Sequence, residues 1–349
     1  MATDLVIGVL VSNPDGCYRG GGTNGSSCDM RPVFDGALRW AYSVRRHTAP
    51  DTQIVLLTER SSFKAVQSFA RRLEAQLGVQ LVQGDFMDNA ERVEHDGTGG
   101  SRFVWCPMRN RWFVIRDFLR QRMISRQPEY RHVLMSDVRD VIVQRDPFAN
   151  ASLLAGTVIF SGEGRTLRHS RKGLPRTVTC ARELGADPDT LKWLQTTEPM
   201  NAGVTLAGGR AYRQFVEAFT LLLTKVTTPP CLAVRDCTDQ GPYNLLAHWL
   251  WNASEHLAHT RRLLLPIERA LSYTVSKVRG CCRLDEASGR VLNGEGVAPA
   301  LIHQYSLGSS AKALSLSSRF GEAHLRLPDG VSTSHALPRA TPRASPRAS

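Results

Sequence analysis

Blocks of apolar residues alternate with amphipathic segments along the first 140 residues of the chain. Four apolar runs predict buried β-strands, at residues 4–11, 53–59, 79–86 and 130–137. Between them, apolar positions recur every three or four residues and predict helices, at residues 33–47, 61–78 and 110–126. Strands that alternate with helices indicate an α/β fold with a mostly parallel central sheet.

The same pattern continues, less regularly, to about residue 306. It predicts further strands at 157–163, 202–209 and 298–306, and helices at about 210–225 and 239–251. Residues 164–199 are polar and basic and match neither template, so we interpret them as a mobile lid. After residue 328, arginines recur every four positions among Pro, Ala and Ser, which predicts a disordered tail at 329–349. Residues 1–328 are therefore predicted to form one domain, with its halves meeting near residue 150.

The net charge and the lengths of the apolar runs make some classes of function less probable but do not identify one. The formal net charge is +12, from 44 basic and 32 acidic residues, which favours anionic partners. The excess charge is dispersed and only 7% of residues are aromatic, so a nucleic-acid-binding protein ranks last. The chain has no apolar run of the roughly 20 residues that span a bilayer. The expected location is cytoplasmic as written, or the Golgi lumen if the N-terminus is truncated.

The eight cysteines do not indicate a metal site. None belongs to a C-x-x-C pair, so structural zinc is not expected. Disulfides between Cys17 and Cys28, or between Cys231 and Cys237, would close short loops.

Candidate chemistry begins with the sequence SDVRD, residues 136–140, at the end of the fourth predicted strand. Asp137 and Arg139 share a face of an extended strand, and Asp140 joins Asp137 only if the chain turns there. Two acids at the carboxyl end of a parallel strand lie where α/β proteins bind ligands. The alternative is a capping Asp137 paired with Arg139.

Three later motifs each have a structural and a functional interpretation. MNAG contains Asn201, TDQGPYNLL contains Asp239 and Gln240, and LIHQYS contains His303. Alone, Asn201 is a turn residue, Asp239 a helix N-cap and His303 a core histidine. The glycine-rich loop at 19–27 lacks a P-loop ending, so a surface loop is favoured over a phosphate cradle.

Taken in order, these motifs resemble the nucleotide-sugar-dependent glycosyltransferases of the GT-A fold. In that superfamily an acidic DxD-type motif ends a central strand, an N-[SA]-G turn and a DQ-x-x-x-N helix start follow, and a late histidine completes a metal site. The resemblance covers residues 4 to about 308 and implies a single Rossmann-like GT-A domain, with the nucleotide bound mainly by residues 1–150 and the acceptor by 151–328.

The resemblance also implies roles for individual residues. Asp137, Asp140 and His303 would bind Mn²⁺ or Mg²⁺, and Asp137 could instead contact the ribose. Asp239, Gln240 and Asn201 would lie near the transferred sugar, with Asp239 as general base if the reaction inverts. Additional positive charge toward the nucleotide phosphates would come from Arg109, Arg111 or Lys312, the first two lying where a helix N-terminus could meet a phosphate. The alternative for the segment at 109–112 is a solvated surface with Trp112 in the core.

One departure from the family pattern concerns Arg139, which stands where a strict DxD motif has its second acid. Either the strand turns early so that Asp140 still binds the cation, or Arg139 pairs with a phosphate in its place. The expected function is a metal-assisted and retaining transfer of a hexose or pentose from a nucleotide sugar to a glycan or other hydroxyl acceptor. The alternative is a non-catalytic protein of the same fold that binds a nucleotide sugar or a glycan.

Overall fold

The computed structural model describes residues 2–10, 31–84, 107–150, 154–170, 173–226, 239–274, 283–285 and 287–303. Of the predicted features, the loop at 19–27, Lys312, the tail at 329–349 and both proposed disulfides lie outside these ranges.

Twelve strands and seven α-helices occur in the described residues. The strands are β1 (Leu5–Leu10), β2 (Gln53–Glu59), β3 (Val79–Gly84), β4 (His132–Asp137), β5 (Val141–Val143), β6 (Thr157–Gly162), β7 (Met200–Gly208), β8 (Arg261–Leu265), β9 (Ser272–Thr274), β10 (Arg283–Asp285), β11 (Arg290–Leu292) and β12 (Leu301–His303). The helices are α1 (Arg31–His47), α2 (Arg60–Leu77), α3 (Pro107–Ile124), α4 (Gly173–Glu183), α5 (Pro188–Leu194), α6 (Gly209–Lys225) and α7 (Gln240–Leu245), the last continuing as a π-helical turn through Leu250.

The central sheet has seven strands in the order β3-β2-β1-β4-β7-β6-β8. Strand β7 runs antiparallel to β4 and β6, and the other neighbouring pairs are parallel. The predicted fold class, α/β with a mostly parallel sheet flanked by helices, is confirmed. The chain progresses outward from β1 to β3 and then returns to β4 on the other side of β1. Ligands of such sheets bind beyond the carboxyl ends of the strands at this reversal, which is where β4 ends.

Apolar side chains cover both faces of the central sheet. On one face, Trp112 of α3 packs against Phe219 of α6 with ring centroids 4.9 Å apart, and Tyr243 of α7 completes the aromatic cluster. On the other face, Phe34 of α1 contacts Phe69 of α2 at 4.8 Å. Edge-to-face aromatic pairs contribute about 0.5–1.5 kcal/mol beyond their buried area. The aromatic cluster fixes α3 and α7 relative to the sheet.

A separate three-stranded sheet in the order β5-β12-β9 lies next to the end of β4. Strand β12 is antiparallel to β5 and parallel to β9. Buried Gln144, just after β5, holds this sheet by bonding the backbone of Val291 and Pro299. The small sheet joins distant parts of the sequence to the end of β4.

The interpretation of residues 164–199 as irregular is wrong. They contain a 3₁₀ turn at Leu167–His169 and the helices α4 and α5. Their ends meet, because Glu163 N donates to Pro199 O at 3.0 Å. Strand β8, which pairs with β6, was not predicted.

Two further observations bear on the sequence predictions. Cys180 of α4 is disulfide-bonded, and every other cysteine lies outside the described residues. Within the described part of the chain, no helix has both the length and the apolar character that a bilayer crossing requires.

Candidate functional site

The candidate site begins where β4 ends and the chain turns. Asp137 is the last residue of β4, residues 138–140 form a bend, and β5 starts at Val141. Helix α1 supports this bend, since Trp40 Nε1 donates to Ser136 Oγ at 2.7 Å and Val143 N donates to Ser43 Oγ at 3.0 Å. The early turn brings Asp140 to the same side as Asp137.

Strand β12 brings His303 to both acids. In the small sheet His303 is the register partner of Val141, which directly follows Asp140. The His303 Nε2 atom lies 3.4 Å from Asp137 Oδ2 and 3.7 Å from Asp140 Oδ1. His303 therefore meets two acids that lie more than 160 positions earlier in the sequence.

The donor set of this cluster fits a hard divalent cation. One ligand atom from each of Asp137, Asp140 and His303 can be chosen so that all three lie within 4.8 Å of one another. Around an ion with ligand bonds of about 2.1 Å, adjacent donors are about 3 Å apart and opposite donors about 4.2 Å apart. Small side-chain movements would bring the three donors to such distances. Carboxylate oxygens with one imidazole suit Mn²⁺ or Mg²⁺.

Arg111 of α3 is a buried cation that ties the cluster to the rest of the protein. Its guanidinium donates to Asp137 Oδ1, to Asp239 Oδ2 at 2.7 and 3.0 Å, and to the Ala202 carbonyl at 2.9 Å. Its side chain is only 5% exposed. The predicted contact between Arg111 and a phosphate would require some of these bonds to be given up.

Asp239 faces inward at the start of α7. Its Oδ2 accepts from both Arg111 and Trp112 Nε1, the latter at 2.6 Å. Burial raises the pKa of Asp239, although Arg111 and Trp112 act in the opposite direction. As arranged, Asp239 connects α3 to α7, and its predicted role near the sugar or as a base is not tested by this geometry.

The two acids of the cluster differ electrostatically. Burial opposes ionisation of Asp137, but Arg111 and His303 outweigh it and lower its pKa to about 2. Burial raises the pKa of Asp140, and repulsion from Asp137 adds to this while His303 and Arg139 oppose it. Asp137 is thus firmly ionised, whereas a nearby cation would stabilise the ionised form of Asp140.

The start of β7 contacts the cluster at His303. Asn201 is 1% exposed, and its amide donates to Thr274 Oγ1 at 2.9 Å and to His303 Nδ1. Its Oδ1 accepts from Gly203 N at 2.7 Å. Asn201 therefore lies behind His303, and its predicted contact with sugar hydroxyls remains a prediction.

Gln240 and Asn244 hold the start of β7 in place. The Gln240 amide donates to Met200 O and accepts from Ala202 N at 3.4 Å. Asn244 accepts from Met200 N at 2.7 Å and donates to Gln240 O at 2.7 Å. The DQ-x-x-x-N segment consequently fixes the backbone on either side of Asn201.

The remaining predicted site residues are Arg139, Arg109 and Lys312. Arg139 is half-buried in the bend, and its charge acts on Asp140. Arg109 lies in the first turn of α3, but its side chain is outside the described part of the structure. Lys312 lies outside the described residues. Sequence reasoning missed Trp112 as a partner of Asp239, and it missed Thr274 behind Asn201. The MNAG motif was noted for its asparagine, but Gly203 of the same motif also contacts the cluster.

Gly203 leaves no room for a side chain. A Cβ there would lie 2.6 Å from Asp137 Oδ2 and 2.9 Å from His303 Nε2. Gly203→Ala is expected to push these groups apart and weaken Mn²⁺ binding about tenfold or more, because misplaced ligands lose affinity. Titration followed by electron paramagnetic resonance of free Mn²⁺ measures this. Gly294→Ala is the matched control, since its Cβ would meet no atom within 4 Å, and equal affinities in the two variants would contradict the expectation.

Comparison with known proteins gives structural matches only. No protein-family model and no curated protein sequence matches the chain. Mouse xyloside xylosyltransferase 1 in its apo form matches at 13% identity and TM-score 0.43, over 89% of this chain and 100% of that one. The apo structure of WbbM, a bifunctional glycosyltransferase, matches at 15% identity and TM-score 0.46, over 94% of this chain and 50% of that one. The chain thus spans about half the length of WbbM.

Proposed function

We propose that this protein is a glycosyltransferase that moves a hexose or pentose from a nucleotide sugar to a glycan or other hydroxyl acceptor with the help of Mn²⁺ or Mg²⁺. The observation that carries the proposal is the meeting of Asp137, Asp140 and His303 beyond the carboxyl end of β4. This edge of the sheet is where α/β folds bind nucleotides. The sequence order of the motifs supports the same function.

Asp137, Asp140 and His303 would hold the cation, and the protein provides the charge that this requires. Arg111 keeps Asp137 ionised, since its guanidinium bonds Oδ1 and leaves Oδ2 facing His303. When bound, the cation would offset the negative charge that the nucleoside diphosphate gathers as the sugar departs. Burial of Asp140 and His303 limits the access of water to the site, although the Asp137 side chain is 25% exposed.

A retaining course is part of the proposal. A general base for inversion must be free to accept the proton of the acceptor hydroxyl. Asp239, the candidate for that role, already accepts from Arg111 and Trp112 inside the protein. Because these bonds tie Asp239 Oδ2 to α3, we infer that the donor diphosphate, rather than Asp239, removes the proton of the acceptor hydroxyl. We further propose that residues 151–328 bind the acceptor.

Asp140→Asn tests the proposed function. The substitution keeps the shape of the side chain and removes its charge, so Mn²⁺-dependent hydrolysis of the cognate nucleotide sugar should fall at least about 100-fold. The assay is release of nucleoside diphosphate from a panel of UDP- and GDP-sugars. Asp51→Asn, at an exposed turn, is the matched control and should retain full activity. If the wild type binds a nucleotide sugar in a thermal-shift assay yet hydrolyses none with any acceptor, the protein is the non-catalytic alternative.

A further inference from the structure

The hydrogen bonds around Asn201 determine which nitrogen of His303 carries the proton. The backbone N–H of Gly203 can only donate, and it points at one terminal atom of the Asn201 side chain at 2.7 Å. That atom must therefore be the amide oxygen. The amide nitrogen is left facing His303 Nδ1 and Thr274 Oγ1.

An amide nitrogen has only hydrogens to offer, so His303 Nδ1 must accept. A neutral imidazole that accepts at Nδ1 carries its proton on Nε2. In this structure Nε2 points at Asp137 Oδ2 and Asp140 Oδ1, 3.4 and 3.7 Å away. Its N–H is thus directed toward the two acids.

A cation needs the opposite tautomer. Coordination by Nε2 requires a bare lone pair on that nitrogen, and the proton must then sit on Nδ1. With Asn201 as oriented, that proton would face an N–H group. Turning the amide would satisfy His303 but would set the amide nitrogen against the Gly203 N–H. Thr274 does not prevent the turn, because a hydroxyl can donate as well as accept.

We propose that Asn201 is a positioning residue that holds His303 in the tautomer opposing cation binding, and so weakens the affinity of the cluster for its cation. When a cation binds, the Nε2 proton leaves and Nδ1 gains one, with no net change in the protons held by the ring. The inference rests on the proposed function for the identity of the ligand. It leads to the expectation that Mn²⁺ binds more tightly when UDP supplies further oxygen ligands.

Asn201→Asp removes the conflict at this position. One carboxylate oxygen can accept from Gly203 N while the other accepts from His303 Nδ1 and from the Thr274 hydroxyl. The variant should bind Mn²⁺ about tenfold more tightly than wild type. Gln240→Glu is the matched charge control, because Gln240 bonds Met200 and Ala202 in the same stretch of β7. Its gain should be clearly smaller than that of Asn201→Asp.

Two measurements test the inference without recourse to activity. The ¹⁵N shifts of the His303 ring, assigned by their loss in His303→Gln, report the protonated nitrogen in metal-free protein. Wild type should show a bare Nδ1 and a protonated Nε2, and Asn201→Asp should show a proton on Nδ1. Isothermal titration with Mn²⁺, with and without UDP, gives the affinities.

Each outcome decides one question. A proton on Nδ1 in the metal-free wild type overturns the inference, as does an Mn²⁺ affinity of Asn201→Asp no higher than that of Gln240→Glu. If the ¹⁵N shifts are as expected but neither wild type nor Asn201→Asp binds Mn²⁺ with UDP present, the metal-assisted function fails and only the hydrogen-bond arrangement stands.

Discussion

Arg111→Met is expected to lower the free energy of unfolding by about 3–5 kcal/mol, because it leaves buried carboxylates without their cation. The Asp239 side chain is 5% exposed and that of Asp137 25% exposed, so water can offset only part of the loss. The Ala202 carbonyl also loses its donor. Urea denaturation followed by circular dichroism measures the change.

The matched control for this prediction lies on the same helix. Arg120 bonds Glu217 through two hydrogen bonds, but its side chain is 48% exposed. Arg120→Met should therefore cost within about 1 kcal/mol. Similar losses of unfolding free energy in both variants would show that burial does not increase the contribution of Arg111 to stability. Asp239→Asn in the Arg111→Met background should recover part of the stability, since it removes the charge of the more deeply buried carboxylate.

Gly36→Ala is expected to disturb the fold and the cation site together. A Cβ at Gly36 of α1 would lie 2.3 Å from the Arg139 carbonyl oxygen and 2.7 Å from its Cα. Both are backbone atoms, so either α1 or the bend that carries Asp140 must move. Such overpacking costs about 1–3 kcal/mol. The displaced Asp140 should also lower Mn²⁺ affinity about tenfold.

Denaturation and Mn²⁺ titration of the same preparation separate these two effects. Gly294→Ala should leave both quantities unchanged, since it meets no neighbouring atom. A Gly36→Ala protein with wild-type stability and wild-type Mn²⁺ affinity would mean that the bend accommodates a methyl group without moving Asp140.

The sequence predicted the central strands and part of the cluster for identifiable reasons. Buried parallel strands are continuous apolar runs, and the one that ends at Asp137 could be read directly. The family resemblance supplied His303, and the early turn offered as one explanation of Arg139 is the one observed. Asp140 therefore joins the cluster despite the departure from a strict DxD motif.

Helix α4 escaped prediction because its buried side is not an apolar stripe. The side chains that it buries are small or polar: Thr177, Cys180 and Ala181. Helix α5 did carry a usable signal, since Asp187 caps it by accepting from Thr190 N and Pro188 follows at the first helical position. A search for caps would have found α5, whereas α4 depends on its packing against α7.

The polar contacts of the site could not be predicted from the sequence, because only the tertiary structure brings their partners together. Arg111 and Asp239 are 128 positions apart, and both are residue types that sequence reasoning assigns to the ligand. Only the packing of α3 beside α7 shows that they bond each other. Thr274 had no signal at all, because a threonine in a short strand is ordinary.

The hydrogen bond between Glu163 N and Pro199 O has a consequence for protein engineering. Strands β6 and β7 are adjacent and antiparallel, so the segment between them leaves and re-enters the sheet at one point. Changes in its length need not alter the spacing of the strands that carry the acids and the asparagine. Residues 164–198 are therefore a suitable unit for exchange between related proteins, provided that the face of α4 that meets α7 is transferred with its partner.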